Sequence, residues 1–442
     1  MARVIVVGGG LAGMACAAAL ASAGFTVELH EAGPRLGGRA GSILLDPADP
    51  SGGLIDNCQH ILLGCCRNLL DFYRRLGVAD LIRFYEEFYF VEPGGRTSVL
   101  RPGRLPSAAR WAPAFLKLRF LGLRDKLAVI RALAGVRRQF ATRTDLDAIT
   151  MLDWLRHQHQ PEAAVARFWR PVLISAINEE PDRAAAHHGL QVFRLALLAG
   201  ADAHRMGVPA APLSDLYALK RWRRLPGVTI HLRSAVRSWR IEGGRLRGVL
   251  SGDGERTADF YVSALPFDRL GGLAEELKLD LSAFQPSPIT GIHLWFDRPV
   301  MDLPQAALLD RTIQWVFNKG EGRYLLAVVS ASRSLLALAR DEVISLALDE
   351  LKEFFPRVGQ AHLEYARVVK EARATFSARP GLQALRPTNV TRLPNLFLAG
   401  DWTRTGWPAT MEGAVRSGYL AAEAVTKAAG TPRRFLIPDP AP

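Results

Sequence analysis

Short apolar runs separated by glycines dominate the start of the chain. Val4–Val7 is an unbroken, largely β-branched run, which predicts a buried parallel strand. An alanine-rich segment, Leu11–Ala23, predicts a helix that ends at Gly24. Phe25–His30 then returns to a strand pattern. The order strand, helix, strand predicts a parallel sheet and a fold of the α/β class.

Similar patterns predict the later elements. Asn68–Leu76 is a predicted helix, Phe84–Val99 reads as strands with a turn at Pro93–Gly95, and a helical pattern continues to about Lys220. The remaining apolar runs predict strands near 228–236, 247–250, 259–266, 289–297, 323–330 and 396–401, with helices at 341–355 and from Met411. The proline-rich end of the chain, from Thr431, predicts no regular element.

A glycine loop joins the first strand to the first helix. Gly8 permits the tight turn, Gly10 allows a pyrophosphate to approach the backbone, and Gly13 allows the helix to pack closely on the strand. Leu11 and Ala12 open the helix, whose free N–H groups favour an anion. Glu31 follows the second strand, where a carboxylate can accept the hydroxyls of an adenosine ribose. The combination predicts a dinucleotide site; a purely structural glycine turn is the alternative.

The residues after Glu31 favour FAD over NAD. The run Glu31-Ala32-x-x-Arg35-x-Gly37-Gly38-Arg39 resembles the extended signature of the amine oxidase and phytoene desaturase flavoproteins. Gly38 lets the backbone pass close to the cofactor, and Arg39 can pair with its pyrophosphate. Arg35 is either a cofactor contact or a solvated loop charge. The resemblance further implies that the backbone near Val236 and Ala264 meets the cofactor.

A second motif lies near the carboxyl terminus and resembles the closing FAD segment of the same flavoproteins. Gly400-Asp401 ends a strand, so Asp401 can hydrogen-bond a ribitol hydroxyl. Thr410, Met411 and Ala414 begin a helix whose N–H groups can face the flavin pyrimidine edge and stabilise negative charge there. An ordinary cap is the alternative role for Asp401.

Composition limits the function classes. The 442 residues suffice for two or three domain-sized units, and their 49% hydrophobic content supports large cores. Four cysteines without ligand spacing fit a reducing compartment, and the pair His187-His188 has no accompanying ligand pattern, so we expect no metal site. We expect no secretory leader, because the first strand starts at residue 3, and no membrane span, because no apolar run is long enough.

The net charge of +13 suggests an anionic partner. No module typical of nucleic-acid binding accompanies the charge, so we expect no nucleic-acid partner. Residues 104–138 carry nine Lys or Arg against the single acid Asp125, interleaved with Trp111 and bulky apolar side chains. This mixture is typical of a helix that lies in a membrane interface. We expect peripheral docking on the cytoplasmic side of the inner membrane; a solvated basic face is the alternative.

Polar residues interrupt an apolar region at Asp56-Asn57-Cys58-Gln59-His60. This piece and several others resemble the bacterial hydroxysqualene dehydroxylase family of hopanoid synthesis. The other pieces are Pro171–Asn178, Pro209–Leu213, His293–Asp297, Gln314–Phe317, Ala374–Phe376 and Gly400–Gly413. Cys58 departs from the family pattern, where glycine is expected, and it is assigned no role.

The resemblance implies an FAD-dependent enzyme that replaces the hydroxyl of hydroxysqualene by hydride, giving squalene. His60 and Asp56 are the candidate acids; Asp56 could instead orient His60. The expected substrate contacts are Asn57, Gln59, Trp315, Phe317 and Trp407, although core packing is an equal role for the aromatic residues. The electron donor is left open. The alternatives are a carotenoid or phytoene desaturase, and an isoprenoid escort of the GDP-dissociation-inhibitor type.

The expected organisation is a Rossmann-like FAD-binding domain interleaved with a substrate domain of mixed sheet and helices. Residues 1–83, 222–270 and 386–430 are expected to form the FAD-binding domain. Residues 84–103 and 271–385 are expected to form the substrate-domain sheet, residues 104–221 a helical docking and entry region, and residues 431–442 an irregular tail.

Overall fold

A five-stranded parallel sheet forms the base of the molecule, which we describe from a computed structural model covering residues 2–46, 48–104, 107–200, 202–252 and 254–440. The strands come from three distant parts of the chain. Their spatial order is Val228–His231, Thr26–His30, Arg3–Val7, Phe260–Ser263 and Leu396–Leu398. We call this the nucleotide sheet. All its neighbouring strands run parallel, as the buried apolar runs predict.

The helix Leu11–Ser22 is buried along most of its length, because small side chains let other elements approach its backbone. The closest neighbour is the last long helix, Met411–Ala428. A Cβ atom added at Gly418 would lie 2.2 Å from the carbonyl oxygen of Ala12, so only glycine permits this approach. The packing joins the first and last parts of the chain in one core.

A seven-stranded mixed sheet forms a second layer. Its spatial order is Leu363–Phe376, Pro286–Phe296, Tyr324–Ser330, Trp315–Gly320, Gln305–Leu308, Phe88–Val91 and Thr97–Leu100. The pairing is antiparallel except between Gln305–Leu308 and Phe88–Val91. The helix Arg340–Phe354 packs Val343, Ala347 and Leu351 into the apolar core of this sheet. Gly272–Glu276 and Leu382–Leu385 are short helices of the same half of the chain.

Helices fill most of residues 107–197. They are Ala112–Leu116, Leu123–Thr142, Met151–His157, Glu162–Ala164, Arg170–Ile177 and Ala186–Val192, with π-helical turns at Val165–Trp169 and Phe193–Leu197. Trp111 is buried, and its indole N–H donates to the carbonyl oxygen of Leu197 at 3.0 Å. The tryptophan therefore fixes the segment to the protein and is not an exposed interfacial residue. Within the described part of the chain, no helix combines the length and apolar character needed to cross a bilayer.

Residues 206–209 differ from the helical pattern that we expected. Met206–Pro209 is a strand between Leu62–Leu63 and Ile82–Tyr85. The short helices Leu213–Leu216 and Leu219–Trp222 then pack into the core beside the nucleotide sheet, together with the helix Arg67–Leu76. The strand pairs with residues distant in sequence, so the local periodicity could not reveal it.

Two antiparallel ribbons complete the described structure. Ser42–Asp46 pairs with Asp49–Asp56, and Ser238–Glu242, Arg245–Ser251 and Gly254–Arg256 form a three-stranded ribbon. The described tail, residues 431–440, has no helix or strand, but it packs on the protein. Asp439 accepts from the indole of Trp407 at 3.0 Å and pairs with Arg416 at 2.9 Å.

Candidate functional site

A cavity of about 900 Å³ lies between the nucleotide sheet, the mixed sheet and the helices. Most of the predicted cofactor residues line it: Gly8, Gly10, Leu11, Ala12, Glu31, Ala32, Gly38, Arg39, Val236, Ala264, Gly400, Asp401, Thr410, Met411 and Ala414. The predicted substrate or catalytic residues that line it are Asn57, Gln59, His60, Trp315 and Trp407. Gly13, Arg35, Asp56 and Phe317 are outside this lining.

The glycine loop has the shape that a pyrophosphate needs. Gly8 has a φ of +111°, and a Cβ there would lie 2.8 Å from the carbonyl oxygen of Ala264. A Cβ at Gly13 would lie 1.9 Å from the carbonyl oxygen of Gly8, so this glycine serves the packing of helix on loop. A Cβ at Gly10 meets no protein atom within 4 Å. The open space at Gly10 faces the cavity, where a phosphate group fits.

Glu31 holds the loop that surrounds this end of the cavity. Its Oε2 accepts from the backbone N–H of Gly9 at 2.7 Å, and its Oε1 accepts from Gly33 at 2.6 Å. The Glu31 carbonyl oxygen also accepts from the backbone N–H of Ser234 at 2.8 Å. Because Glu31 lines the cavity, its carboxylate both shapes the glycine loop and remains available to a ribose.

Arg39 and Asp401 connect the two predicted cofactor motifs. The guanidinium Nη2 of Arg39 lies 2.6 Å from Oδ1 of Asp401, and its Nη1 donates to the carbonyl oxygen of Ala374 at 3.2 Å. Burial opposes the charge on Arg39, but Asp401 outweighs it and raises the arginine pKa. We expected the two side chains to contact different parts of the cofactor. The structure pairs them with each other across 362 residues.

Arg386, which the sequence did not single out, organises the closing motif. Its side chain is fully buried and donates to the carbonyl oxygens of Asp401 at 2.7 Å and Trp407 at 2.6 Å. It also donates to the hydroxyl of Thr405 at 3.0 Å. Burial lowers the pKa of Arg386 to about 10, so the group stays protonated at neutral pH. One cation therefore fixes the path of residues 401–407 beside the cavity.

The helix after this motif begins at the cavity wall. Thr410 is its N-cap, and its hydroxyl accepts from the N–H of Gly413 at 3.0 Å. Glu412 turns away from the N-terminus to accept from Asn68 and from the backbone of Leu69. Thr410 and Met411 line the cavity, so the positive end of an eighteen-residue helix is directed at it.

Asn57 is the centre of the polar cluster that the sequence predicts. Its amide Nδ2 donates to the carbonyl oxygen of Arg39 at 2.9 Å, and its Oδ1 lies 2.7 Å from Nε2 of His60. This arrangement requires Nε2 of His60 to carry a proton and leaves Nδ1 as an acceptor. Nearby, the ammonium of Lys319 donates to Oε1 of Gln59 at 3.1 Å. The cluster is the main polar patch in an otherwise largely apolar part of the cavity.

His60 and Asp56 differ from the roles that we expected. Burial lowers the pKa of His60 to about 4, with a further contribution from the Lys319 charge, so the ring is neutral at pH 7. Asp56 does not line the cavity; its Oδ1 accepts from the hydroxyl of Ser42 at 2.7 Å and the N–H of Leu213 at 2.9 Å. Asn57, and not Asp56, is the residue that orients the His60 ring.

Aromatic and aliphatic side chains form the rest of the cavity wall. Trp315 lines it and donates its indole N–H to the hydroxyl of Ser175 at 2.6 Å. Phe317 stacks on Trp315 with ring centroids 5.8 Å apart, so it supports this wall from behind. Further apolar lining comes from Phe88, Phe90, Leu100, Phe168, Val172, Leu195 and Leu197. A hydrocarbon chain fits such a lining.

Glu371 is a further cavity residue that sequence reasoning missed. It lies on the strand Leu363–Phe376, where Ala374 and Thr375 also line the cavity. Burial raises the pKa of its carboxyl group, while the Arg39 charge and a hydrogen bond from Asn57 oppose the rise. Its strand mixes charged and apolar residues without clear alternation, so no local signal distinguishes this acid from its neighbours.

One group of side chains in the described structure has the composition of a metal site. Glu28, His30 and His231 bring ligand atoms within 4.8 Å of one another. The two imidazole rings are stacked, however, with centroids 4.6 Å apart and planes inclined by 17°. In rings stacked face to face, the lone pairs lie in separate, nearly parallel planes and do not converge on one ion. We therefore assign no ligand role to this group. His188, from the pair noted in the sequence, is buried and contacts Gln191.

These observations define a class: dinucleotide-binding enzymes in which cofactor and substrate share one cavity between two domains. The chain belongs to the family of flavin containing amine oxidoreductases, whose model matches residues 11–426. The predicted resemblance to the amine oxidase flavoproteins is thereby confirmed, as is the α/β fold. The protein is a flavin-dependent oxidoreductase, which argues against the non-enzymatic escort.

Individual relatives cover almost the whole chain. The hydroxysqualene dehydroxylase of Sinorhizobium fredii is 30% identical over 95% of this chain and 97% of its own length. The zeta-carotene desaturase of Synechocystis sp. is 27% identical over 96% of this chain and 97% of its own length. The structure of an oxidoreductase from Methanosarcina mazei matches with a TM-score of 0.68 at 18% identity, covering 96% of this chain and 100% of that one. This last likeness concerns the fold alone.

Proposed function

We propose that the protein binds FAD and reductively removes the hydroxyl group of hydroxysqualene to give squalene. The observation that carries the proposal is the contrast within the cavity. Asn57, Gln59 and His60 form a compact polar cluster beside a largely apolar lining. This contrast suits a hydrocarbon with a single hydroxyl group. The likeness to hydroxysqualene dehydroxylases at 30% identity supports the same substrate.

The cavity residues divide between the cofactor and the substrate. Gly8 and Gly10 would approach the pyrophosphate, Glu31 would accept the adenosine ribose hydroxyls, and the N-terminus at Thr410 and Met411 would face the flavin ring. Val236 and Ala264 would contact the adenosine side. When bound and reduced, FAD supplies the two electrons and the hydrogen that replaces the hydroxyl group.

The protein positions the substrate and excludes water. The apolar wall that includes Trp315 and Trp407 would hold the isoprenoid chain and keep the reacting carbon dry. His60 would accept a hydrogen bond from the substrate hydroxyl at Nδ1, because its Nε2 proton is engaged by Asn57. Gln59, held by Lys319, would add a second polar contact.

A carotenoid desaturase is the second candidate. The zeta-carotene desaturase of Synechocystis sp. covers the chain as completely as the hydroxysqualene relatives do. A carotene substrate carries no hydroxyl group, however, and would offer no partner to the buried Nε2 of Gln59, which has none in the described structure, or to Nδ1 of His60. Unpaired buried polar groups cost free energy, which favours the hydroxylated substrate.

The direction of electron flow separates the two candidates. We expect the anaerobic, photoreduced enzyme to be reoxidised by hydroxysqualene, with squalene as the product in chromatography. The oxidised enzyme given phytoene or zeta-carotene should show no flavin reduction. Desaturated carotene from the oxidised enzyme, without squalene from the reduced one, would exclude the proposed function and establish the second candidate.

We also propose that residues 116–131 dock on an anionic membrane surface. Leu116, Leu123, Leu127 and Ile130 are 43–70% exposed, which is high for large apolar side chains. The helix Leu123–Thr142 presents three of them at helical spacing, and exposed Lys117, Arg124 and Arg131 lie beside them. Apolar side chains among cations fit the headgroup layer of anionic lipid, where a hydrophobic substrate resides. We accordingly propose a peripheral location on the cytoplasmic side of the inner membrane.

Removing the apolar part of this surface should release the protein from vesicles. We expect the double substitution Leu123→Gln and Leu127→Gln to reduce flotation with phosphatidylglycerol vesicles at least ~10-fold, since each buried leucine contributes roughly 1.5–3 kcal/mol. Leu385→Gln, at an exposed leucine outside this helix, is the matched control. Flotation of the double variant equal to that of the control, or wild-type flotation equal with neutral phosphatidylcholine, would refute the docking surface.

A further inference from the structure

Removal of a hydroxyl group requires a proton, because hydroxide is a poor leaving group and water is a good one. The proton must come from a group that reaches the cavity and whose protonated form is favoured by its surroundings. His60 does not meet the second condition, since burial lowers its pKa to about 4. The thiols of Cys58 and Cys66 hold their protons, but they are poor proton donors because their pKa values are raised. A buried carboxylic acid is a further class of donor that the cavity offers.

Four carboxyl groups line the cavity among the described residues, and three of them are engaged elsewhere. Glu31 accepts from two backbone N–H groups of the glycine loop. Asp401 is paired with Arg39 at 2.6 Å. Glu412 accepts from Asn68 and the backbone of Leu69. The fourth, Glu371, has no such ion pair or backbone donor among the described contacts; Asn57 and the Arg39 charge are the groups that act on its carboxyl group.

The position of Glu371 fits a role at the reacting group. Glu371, Asn57 and His60 all line the same cavity, and Asn57 holds the His60 ring at 2.7 Å. Glu371 pairs in register with Ile289 of the neighbouring strand, and Ile289 also lines the cavity. The carboxyl group is thus at the point where the polar cluster meets the apolar lining.

We propose that Glu371 is the proton donor to the hydroxyl group of the substrate. This inference rests on the proposed function and names the acid for it. The proton leaves an Oε atom of Glu371 and forms an O–H bond on the substrate oxygen. The C–O bond then breaks, its electron pair departs with water, and an allylic cation remains. Reduced flavin is the source of the two electrons and hydrogen that complete the exchange, while Glu371 is left as a carboxylate.

The surroundings of Glu371 support both of its protonation states. Before the reaction, burial favours the neutral acid. After proton transfer, the Arg39 charge and the Asn57 hydrogen bond stabilise the carboxylate, which in turn faces the cation on the substrate. The other titratable neighbours are Cys58, whose thiol stays protonated, and His60, which stays neutral. Arg39 is the cation that acts on the Glu371 carboxyl group, and the carboxylate of Asp401 is paired with the same arginine at 2.6 Å.

Single-turnover reoxidation of reduced enzyme by hydroxysqualene tests the role directly. We expect Glu371→Gln to slow this step about 100-fold or more, the usual contribution of general acid catalysis, with flavin content unchanged. The wild-type rate should fall as pH rises through the pKa of Glu371, and the variant should lose this pH dependence. Glu364→Gln, an exposed acid on the same strand, is the control. A Glu371→Gln rate within threefold of wild type would overturn the proposal.

Binding of a cationic analogue gives a second readout that requires no turnover. A squalene-length tertiary amine carries an ammonium group in place of the allylic cation, and the Glu371 carboxylate would attract it. We expect the oxidised enzyme to bind this amine more tightly as pH rises, and Glu371→Gln to weaken it at least tenfold while leaving squalene binding unchanged. Equal amine affinity of variant and wild type would overturn the assignment. If wild-type reduced enzyme fails to convert hydroxysqualene, the proposed function fails instead.

Discussion

Substitution of Gly10 by alanine is expected to give a folded protein that retains little flavin. Gly10 has a φ of −74° and a ψ of 177°, which any residue adopts, and its added Cβ would meet no protein atom within 4 Å. The methyl group would occupy only the open space at the glycine loop. An overpacked contact of this kind costs about 1–3 kcal/mol. We therefore expect FAD to bind about 10- to 100-fold more weakly, measured by flavin absorbance after dialysis and by reconstitution titrations.

Alanine substitutions at two further glycines serve as controls for this prediction. Gly272→Ala also meets no atom within 4 Å and lies on a short helix outside the cavity lining, so it should retain both fold and flavin. Gly13→Ala places its Cβ 1.9 Å from a carbonyl oxygen and should lower the melting temperature of the flavin-free protein as well. Full flavin content in Gly10→Ala would show that the pyrophosphate does not lie against this loop. A lowered melting temperature of its flavin-free form would show that Gly10 serves packing.

The largest loss of stability is expected from Arg386→Leu. The substitution removes the donor from the buried carbonyl oxygens of Asp401 and Thr403. The carbonyl oxygen of Trp407 loses one of its two donors and keeps the Thr405 hydroxyl. Each unsatisfied buried group costs roughly 1–3 kcal/mol, so the total should reach roughly 4 kcal/mol or more. Because residues 401–407 border the cavity, we expect flavin loss together with a lower melting temperature.

A second substitution separates the contribution of the Arg386 charge from that of its hydrogen-bonding geometry. Arg386→Lys retains the charge but lacks the planar fork that reaches several carbonyl groups, so it should recover only part of the stability. Arg373→Gln removes a side chain that is 63% exposed and pairs with Asp268, and it should cost about 1 kcal/mol or less. An Arg386→Leu melting temperature equal to that of Arg373→Gln would contradict the role assigned to the buried arginine.

The local elements of the nucleotide sheet were predictable because each depends on neighbours in sequence. The strand Arg3–Val7, the glycine loop and the helix Leu11–Ser22 follow from an apolar run, a glycine spacing and a block of small residues. The strand Leu396–Leu398 and the helix Met411–Ala428 are similar cases. The order of the strands in the sheet was not predictable from local sequence, because it depends on residues far apart in the chain. Phe260–Ser263, for example, pairs with both Arg3–Val7 and Leu396–Leu398.

In the basic residues 104–138, the sequence pattern could not predict which apolar side chains are exposed. The sequence places Trp111, Leu118 and Leu123 in one stretch of alternating cations and apolar residues. The fold buries Trp111 and Leu118 but leaves Leu123 70% exposed. Burial depends on where the helices 107–197 contact one another. Periodicity alone could not decide which apolar residues remain for a membrane.

The sequence by itself determined the fold class, the glycine loop, the closing motif and the polar segment near His60, because these are encoded by short-range spacing. Only the tertiary structure decided which polar groups act together. In the folded chain, Arg39 pairs with Asp401, and Asn57 hydrogen-bonds to the His60 ring. Arg386 donates to the backbone of the closing motif, and Glu371 lines the cavity. Those contacts join residues far apart in the chain, and the protonation of each group depends on the burial and charges that the contacts create.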